Sequence, residues 1–442
     1  MEVDEATNDA IAELERHVNR IRPLLLEKRR PFFIEFAGTP KSGKTLTLSV
    51  LQQFLKRNGI SVRVYQERAS IAPLTNKGAA SFNIWVTCAT LNGMIEALED
   101  EKLDVFILDR GLFDGLVWIE WQEKTLRLTR EEADTFRNFI LAPRWWDLID
   151  LICVLHCGAD QALVRENAYQ ITLKGGAIMN PTTLNQLRSH LLNVVEKYKR
   201  RFREHLVINT TSSMPRDSVM QVAKKTLETL EHFADEEVLC VPKSKLSEVV
   251  GLPFETLVQP QWGVIYSLVN ESGRYVRRSK AETEEEWIQI VPVCVIEHSG
   301  KLLTNVRSEP GESLDKALAN WAGGHVRKQD LGSDASKWSS VIAGLRREVL
   351  EELSIAQLPT PEPLGLVHTA ENARAARHLG IVFRVHLDDP ATAEALDNKI
   401  IREPPNKSVR TTWMDRDQLS AQTQNQKDWS RAINQHLFGS ET

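Results

Sequence analysis

The chain has 442 residues, more than one ordinary domain holds, so we expect two domains and allow for a third. Hydrophobic residues make up 42% and charged residues 26%, a balance that excludes a largely disordered chain. The net charge of −5 gives no global reason to expect binding to nucleic acid or to an anionic membrane.

The first half of the chain alternates between helical and strand patterns. Apolar residues at helical spacing predict an N-terminal helix within 1–29, over residues 5–29. A buried strand is predicted at 32–37, a helix at 45–57, and further strands at 62–65, 105–108, 151–155 and 206–208. This alternation predicts an α/β fold with a parallel sheet over residues 30–235.

The pattern changes near residues 235–238, where we place a domain boundary. Strands are predicted at 238–241, 263–269, 288–296, 302–306, 364–368, 378–387 and 409–413, with a turn at 298–300. A helix is predicted at 339–353. Residues 238–442 therefore form a second domain in which helices and strands are mixed.

Cysteines and apolar runs bear on the compartment. The five cysteines are scattered, and Cys153 and Cys157 alone do not make a convincing zinc motif. No run of eighteen apolar residues occurs, and the acidic N-terminus does not resemble a signal peptide. We expect a reduced, cytoplasmic protein without a membrane span.

A glycine-lysine loop joins the first strand to the following helix. Its residues fit the pattern G-x-x-x-x-G-K-[ST]: Gly38, Thr39, Pro40, Lys41, Ser42, Gly43, Lys44 and Thr45. Backbone amides of such a loop and the helix N-terminus bind phosphate oxygens. We expect Lys44 to reach the β- and γ-phosphates of ATP and the Thr45 hydroxyl to bind Mg²⁺.

An acidic residue ends the strand predicted at 105–108. Asp109 has the position of a carboxylate that acts on Mg²⁺ beside the phosphate loop. Arg110 follows it and can clamp an acceptor phosphate or polarise the transferred group. The alternative is that Asp109 caps the next turn and Arg110 makes a surface ion pair.

Together with Glu67-Arg68 after the second strand, these motifs resemble those of thymidylate kinase-like and deoxynucleoside kinase-like P-loop kinases. The resemblance covers residues 30–235. It implies that Glu67 serves the acceptor as base or ligand and that Arg68 binds acceptor phosphate. It also implies a basic lid at 165–181 with Arg165 and the flexible Lys174-Gly175-Gly176. The alternative for Arg165 and Lys174 is a solvated helix end. Gly111 stands where thymidylate kinases have an aromatic residue or histidine, which argues against thymidylate as the substrate.

A basic run follows the predicted lid. It consists of Lys197, Lys199, Arg200, Arg201 and Arg203. Binding of nucleotide phosphates or RNA is one interpretation, and a solvated helix face is the one we favour. Nucleic acid is therefore an open but not favoured partner.

A cluster of carboxylates marks the helix predicted at 339–353. Glu348, Glu351 and Glu352 lie three and four residues apart and share one helical face, where a divalent cation would relieve their repulsion. Arg347 can orient and balance them. An exposed acidic helix is the alternative.

The sequence from Arg347 to Ile355 resembles the conserved helix of Nudix hydrolases, with Ser354 in place of its glycine. Gly323-Gly324 resembles the start of the same motif, Asp330 replaces its first glutamate, and about nine residues (331–339) are inserted. The resemblance covers 238–442 and implies an α/β/α sandwich in which Glu348, Glu351 and Glu352 hold Mg²⁺ during diphosphate cleavage and Arg347 orients them.

Two phosphate sites in one chain predict a bifunctional enzyme. The first domain would transfer phosphoryl groups from ATP to a nucleoside or nucleoside monophosphate, and the second would hydrolyse a nucleoside diphosphate derivative. Alternatively, the first domain is a polynucleotide 5′-kinase or a nucleotide-driven switch, and the second is a ligand sensor. The oligomeric state is left open.

Overall fold

The structure is a computed structural model, and it describes all residues except 1–4, 29, 169–177, 255, 309–317, 333–335, 356, 371–374, 404–406, 427 and 440–442. The chain divides into two compact units, Met1–Ala234 and Asp235–Thr442. Each unit is built around its own sheet, and the α/β fold class predicted from the sequence is confirmed.

The first unit is a five-stranded sheet flanked by helices. Its strands are β1 (Phe32–Gly38), β2 (Val62–Tyr65), β3 (Val105–Asp109), β4 (Ile149–His156) and β5 (Glu204–Asn209). They are all parallel in the order β2-β3-β1-β4-β5. β1 is central and buried along its whole length, so residues at its carboxyl end meet those of β3 and β4 at one edge.

Nine helices occur among the described residues of this unit. They are α1 (Glu5–Ile21), α2 (Lys44–Arg57), α3 (Ala80–Leu98), α4 (Leu112–Lys124), α5 (Arg130–Ile140), α6 (Pro143–Trp146), α7 (Ala159–Asn167), α8 (Pro181–Tyr198) and α9 (Pro215–Ala234). The helix predicted to reach residue 29 ends at Ile21 because Pro23 disfavours helical backbone before it, and a 3₁₀ turn follows at Leu24–Glu27. Val18 and Ile21 of α1 share a buried cluster with Leu227 of α9.

The second unit contains a larger mixed sheet. Its strands are β6 (Glu237–Pro242), β7 (Arg274–Arg277), β8 (Trp287–His298), β9 (Lys301–Ser308), β10 (Leu318–Ala319), β11 (Ala322–Gly323), β12 (Glu362–Val367), β13 (His378–His386), β14 (Ile400–Glu403) and β15 (Lys407–Met414). The main path runs β12-β13-β8-β9-β15-β14, and β8 pairs parallel with β13.

Helices cover both faces of this sheet. They are α10 (Lys243–Val250), α11 (Trp262–Ser272), α12 (Arg278–Thr283), α13 (Lys337–Leu353), α14 (Pro390–Leu396), α15 (Arg416–Ala421) and α16 (Asp428–Phe438). Ile290 of β8 packs in a cluster with α11 and α13, whereas the alternate residue Val291 packs with Leu419 of α15 and Ile433 of α16. This arrangement is a three-layered α/β/α sandwich.

The strand predicted at 263–269 is wrong, because these residues belong to α11. Its run of β-branched and aromatic residues favoured a strand. Ile265, Leu268 and Val269 are buried, while Val264 and Tyr266 are exposed, so burial follows helical spacing and not alternation.

No helix in the described part of the chain is long and apolar enough to cross a membrane. All five cysteines are described and free; Cys88 on α3 is exposed, and the other four are buried.

Candidate functional sites

The glycine-lysine loop lies between β1 and α2, where the sequence placed it. Gly38 has a φ of 153°, and a Cβ there would lie 2.0 Å from the carbonyl oxygen of Leu155, so only glycine fits. Gly43 has a φ of 90° directly before the first turn of α2. The amide of Thr39 donates to Leu155 O (3.1 Å), which fixes the start of the loop on β4.

Lys44 is buried at the start of α2, and Thr45 beside it is exposed. Burial lowers the pKa of Lys44 to about 8, with the charge of Arg110 contributing and that of Asp109 opposing. Burial also raises the pKa of Asp109, against the influence of Lys44. The two groups therefore lie near each other in a desolvated pocket, the environment in which a lysine acts strongly on a phosphate.

Arg110 connects Glu67 after β2 with Asp114 on α4. Its guanidinium donates to Asp114 Oδ1 (2.7 Å) and lies 2.9 Å from Glu67 Oε1. Burial alone would lower the pKa of Arg110, but Asp114, Glu67 and Asp109 outweigh burial and raise it. An ion pair of Arg110 belongs to one of the two interpretations drawn from the sequence, which placed it at the surface. The observed pair is largely buried on the Arg110 side.

Arg68 follows Glu67 and stacks on an aromatic ring. Its guanidinium carbon lies 3.9 Å from the centroid of the Tyr65 ring, a cation–π contact that orients the side chain. The hydroxyl of Tyr65 donates in turn to Ala89 O (2.6 Å) on α3. Arg68 is thus held beside the Glu67–Arg110 pair.

Arg165, on α7, is bound to the backbone around the phosphate loop. It donates to Lys41 O (2.9 Å), Thr210 Oγ1 (3.1 Å) and Thr210 O (2.5 Å). Thr210 Oγ1 donates to Ser42 O (2.9 Å). Arg165 therefore buttresses the loop from outside. Residues 169–177 of the predicted lid, which include Lys174-Gly175-Gly176, lie outside the described residues.

A second arginine near the loop was not singled out from the sequence. Arg188 on α8 donates from Nε to His156 Nδ1 (3.1 Å) at the carboxyl end of β4. Burial raises the pKa of Cys157, and the charges of Arg165, Arg188 and Lys44 oppose that rise, so all three cations surround one point beside the loop. The contact joins residues 32 positions apart, which no local pattern reveals.

The basic run at 197–203 is engaged locally. Lys197 lies 2.7 Å from Glu120, Lys199 lies 2.5 Å from Glu196, and Arg203 lies 3.5 Å from Asp150. Lys197 lies on α8, Lys199 to Arg201 form a 3₁₀ turn and Arg203 follows it, so the run does not form one helix face.

In the second unit, Arg347 of α13 joins several acidic groups. Its guanidinium donates to both carboxylate oxygens of Asp330 (2.8 and 3.0 Å) and to Glu348 Oε1 (2.7 Å), and it also reaches His325 O (2.9 Å). Burial would lower the pKa of Arg347, but Asp330 and Glu348 raise it. Asp330 and Arg347 thus form a bidentate pair across 17 positions of sequence.

Glu348 is fully buried against the glycine pair. A Cβ at Gly324 would lie 2.5 Å from the Glu348 carboxyl carbon, so glycine leaves the space that the carboxylate needs. Glu352 accepts from the Gly323 amide (3.2 Å). Arg327 lies 3.4 Å from Glu351 and 2.9 Å from Glu236, and burial lowers the pKa of Arg327 against the influence of Glu236.

Carboxylate and hydroxyl oxygens are the donors that Mg²⁺ favours, and both sites offer them. In the second unit, Gly324 has no Cβ and so leaves room for the Glu348 carboxylate beside the loop. A carboxylate in this position fits a role in binding metal. Among the residues that the structure describes, however, no three His, Cys, Asp or Glu side chains are grouped as a ready-made metal site. Glu348 and Glu351 face guanidinium groups there, so binding of a cation would require these contacts to rearrange.

No family model matches the chain, and no curated protein matches it. Similar solved structures include that of Tm1382, described as a Nudix hydrolase, at 22% identity and a TM-score of 0.38, covering 46% of this chain and 98% of that one. They also include M. mycoides deoxyadenosine kinase with dCMP and dCDP, at 15% identity, and with dCTP, at 13%. Each of these two kinase structures has a TM-score of 0.34, and each match covers 45% of this chain and 100% of the kinase chain.

Proposed function

We propose that the first unit is an ATP-dependent kinase for a nucleoside or nucleoside monophosphate. The observation that carries this proposal is the phosphate loop between β1 and α2, with Lys44 buried at its end and Asp109 and Arg110 on the neighbouring strand end. Lys44 and the loop amides would bind the phosphates of ATP. Mg²⁺ held at Thr45 and Asp109 would neutralise phosphate charge.

The acceptor would bind on the Glu67 side of Arg110. Glu67 is half-exposed and ion-paired to Arg110, so it can accept a proton from an acceptor hydroxyl while Arg110 stabilises the transferred group. Arg68 would bind an acceptor phosphate. Arg165, the expected lid arginine, is bound to the loop backbone, and Arg188 is the additional cation available to phosphate. A polynucleotide 5′-kinase or a nucleotide-driven switch is the alternative.

For the second unit we infer Mg²⁺-dependent hydrolysis of a nucleoside diphosphate derivative. The support is the buried Glu348 carboxylate beside Gly324 and its bidentately anchored neighbour Arg347. Glu348, Glu351 and Glu352 would hold the cation, which would orient water and stabilise charge on the diphosphate. Arg347 would keep Glu348 in place. A sensor that binds the nucleotide without turnover is the alternative.

The two activities can be separated in one experiment. Wild type, Lys44→Ala and Glu351→Gln are each incubated with ATP, Mg²⁺ and a panel of nucleosides, monophosphates and diphosphate derivatives, and products are identified by mass spectrometry. Lys44→Ala should lose phosphoryl transfer and keep hydrolysis, and Glu351→Gln should do the reverse. If neither variant changes the product set, the two-site proposal is wrong.

The alternatives predict different products in the same assay. Phosphorylation of an added oligonucleotide in preference to mononucleosides would favour the polynucleotide kinase. ATP hydrolysis that no acceptor increases would favour the switch. Nucleotide binding to the second unit without turnover in Mg²⁺ or Mn²⁺ would favour the sensor.

A further inference from the structure

A charged residue lies in the middle of the central strand of the first unit. Glu35 of β1 is completely buried. Its neighbours in register are Leu108 on β3 and Ile152 on β4, which carry no charge. A carboxylate in such a position is costly unless it accepts several hydrogen bonds.

The Glu35 carboxylate accepts three backbone amides at the start of α4. Oε1 accepts from Gly111 (2.9 Å) and Asp114 (2.8 Å), and Oε2 accepts from Phe113 (3.0 Å). These amides lie at the helix start, where they lack partners within the helix. A Cβ at Gly111 would lie 2.5 Å from the Glu35 carboxyl group. The position of Glu35 therefore explains why a glycine follows Asp109-Arg110.

The segment that Glu35 anchors contains Arg110. Arg110 has a φ of 65°, an uncommon conformation for an arginine, and its amide donates to Phe36 O (2.9 Å), next to Glu35. Its guanidinium binds Asp114, whose own amide is held by Glu35. The backbone before and after Arg110 is therefore fixed to the same stretch of β1.

We propose that Glu35 is a positioning residue for phosphoryl transfer, which holds Arg110 in its strained conformation with the guanidinium facing Glu67. This inference rests on the proposed kinase function of the unit. The ionised carboxylate is the stronger acceptor for all three amides, because protonation removes the charge and adds an O–H donor beside N–H groups. Weaker hydrogen-bond acceptance by Glu35 would let the start of α4 and Arg110 shift.

The pKa of Glu35 lies in the neutral range. Burial raises the pKa of Glu35 from 4.5 to about 7; the negative charge of Asp114 adds to the rise, and the three amides oppose it. Asp114, on α4, is a charged group that acts on Glu35. Phosphoryl transfer should therefore decline as the pH falls below about 7, as Glu35 takes up its proton.

The stability of the fold should change in the opposite direction. The pKa of Glu35 is higher in the folded chain than its ordinary value, so the folded state binds this proton more tightly. The contribution of Glu35 to stability is then greatest below pH 4.5 and is lost as the pH rises to about 7. A residue with only a structural role would not make activity and stability respond oppositely to pH.

The first test compares pH–rate profiles of the full chain from pH 5.5 to 8.5. Wild type should show an acidic limb near pH 7. Glu35→Gln should lose that limb and transfer phosphate on the order of 10- to 100-fold more slowly at pH 8, as expected for a misplaced catalytic group. The matched control is Asp104→Asn. The Asp104 carboxylate also accepts a hydrogen bond from a backbone amide, that of Ser61 (2.8 Å). This variant should keep the acidic limb of the pH–rate profile. An identical limb in wild type and Glu35→Gln would overturn the proposal.

The second test does not depend on kinase activity. The amide NMR signals of Gly111, Phe113 and Asp114 are followed over the same pH range. They should shift together with a midpoint near pH 7 in wild type and not in Glu35→Gln. If the three amide signals titrate together but the chain transfers no phosphate, the role of Glu35 in fixing the start of α4 is supported and the proposed kinase function is refuted. If the wild type transfers phosphate but its three amide signals do not titrate, the proposed role of Glu35 is refuted and the proposed kinase function is not.

Discussion

Ser354 ends α13 in a conformation that suits glycine. Its φ is 55° and its ψ 28°, and its amide donates to Leu350 O (3.0 Å), as in a helix that closes with a left-handed residue. The resemblance to the Nudix motif put glycine at this position. Glycine adopts this left-handed conformation freely, whereas serine is strained in it.

Replacing Ser354 with glycine should therefore stabilise the second unit. The expected gain in the free energy of unfolding is about 1 kcal/mol, the cost of a left-handed conformation in a residue with a Cβ. Chemical denaturation of the full chain measures it. Ser339→Gly, in the first turn of the same helix, is the matched control and should destabilise, since its backbone is helical. Equal effects of the two substitutions would contradict this account of Ser354.

At the scale of elements, α13 is attached to the preceding loop through Arg347. The bidentate pair with Asp330 is mostly buried, with 20% of the Arg347 side chain and 6% of the Asp330 side chain exposed. Gly344, one turn earlier, leaves room for Asp330: a Cβ there would lie 2.9 Å from its carboxylate. Aspartate, glycine and arginine thus fit one another across the loop and the helix.

Arg347→Ala should cost about 3 kcal/mol of stability, because it removes the guanidinium that balances the charge of the buried Asp330 carboxylate. Arg346→Ala is the control. Arg346 is the neighbouring residue on the same helix and is exposed, so its removal should change stability by less than about 0.5 kcal/mol. Urea unfolding monitored by circular dichroism compares them. A similar loss in both variants would mean that helix propensity, not the ion pair, is responsible.

Elements with a strong local pattern could be predicted from the sequence. The phosphate loop and α2 combine required glycines with leucines at helical spacing, and the structure places both there. The segment 263–269 failed because its β-branched residues suggested a strand while tertiary burial follows a helical face. Glu35 and Arg188 were missed because their partners are 76 to 79 and 32 residues away in sequence, respectively.

At the scale of the whole molecule, each apolar cluster found among the described residues belongs to one of the two units. Leu227 of α9 packs with residues of the first sheet, and Leu345 of α13 packs with residues of the second. Each unit has its own parallel or mixed sheet and its own candidate phosphate chemistry. We therefore expect the two cores to unfold as separate cooperative units.

Calorimetry of the full chain should resolve two transitions. Leu227→Ala should lower the midpoint temperature of one transition, and Leu345→Ala that of the other. Each substitution should reduce the free energy of unfolding of its unit by about 2–5 kcal/mol, as truncation of a buried leucine does. The two substitutions control for each other, since they remove the same atoms from fully buried sites. A single transition shifted equally by both would show that the units unfold together.

The distribution of thiols makes the chain directly suitable for spectroscopy. Burial raises the pKa of Cys153 and of Cys240 to about 12, so these side chains stay protonated and unreactive at neutral pH. Cys88 alone is exposed. A maleimide dye should attach to α3 of the first unit without prior removal of the other cysteines. Its fluorescence would test whether nucleotides bind to the first unit, with no substitution in the chain.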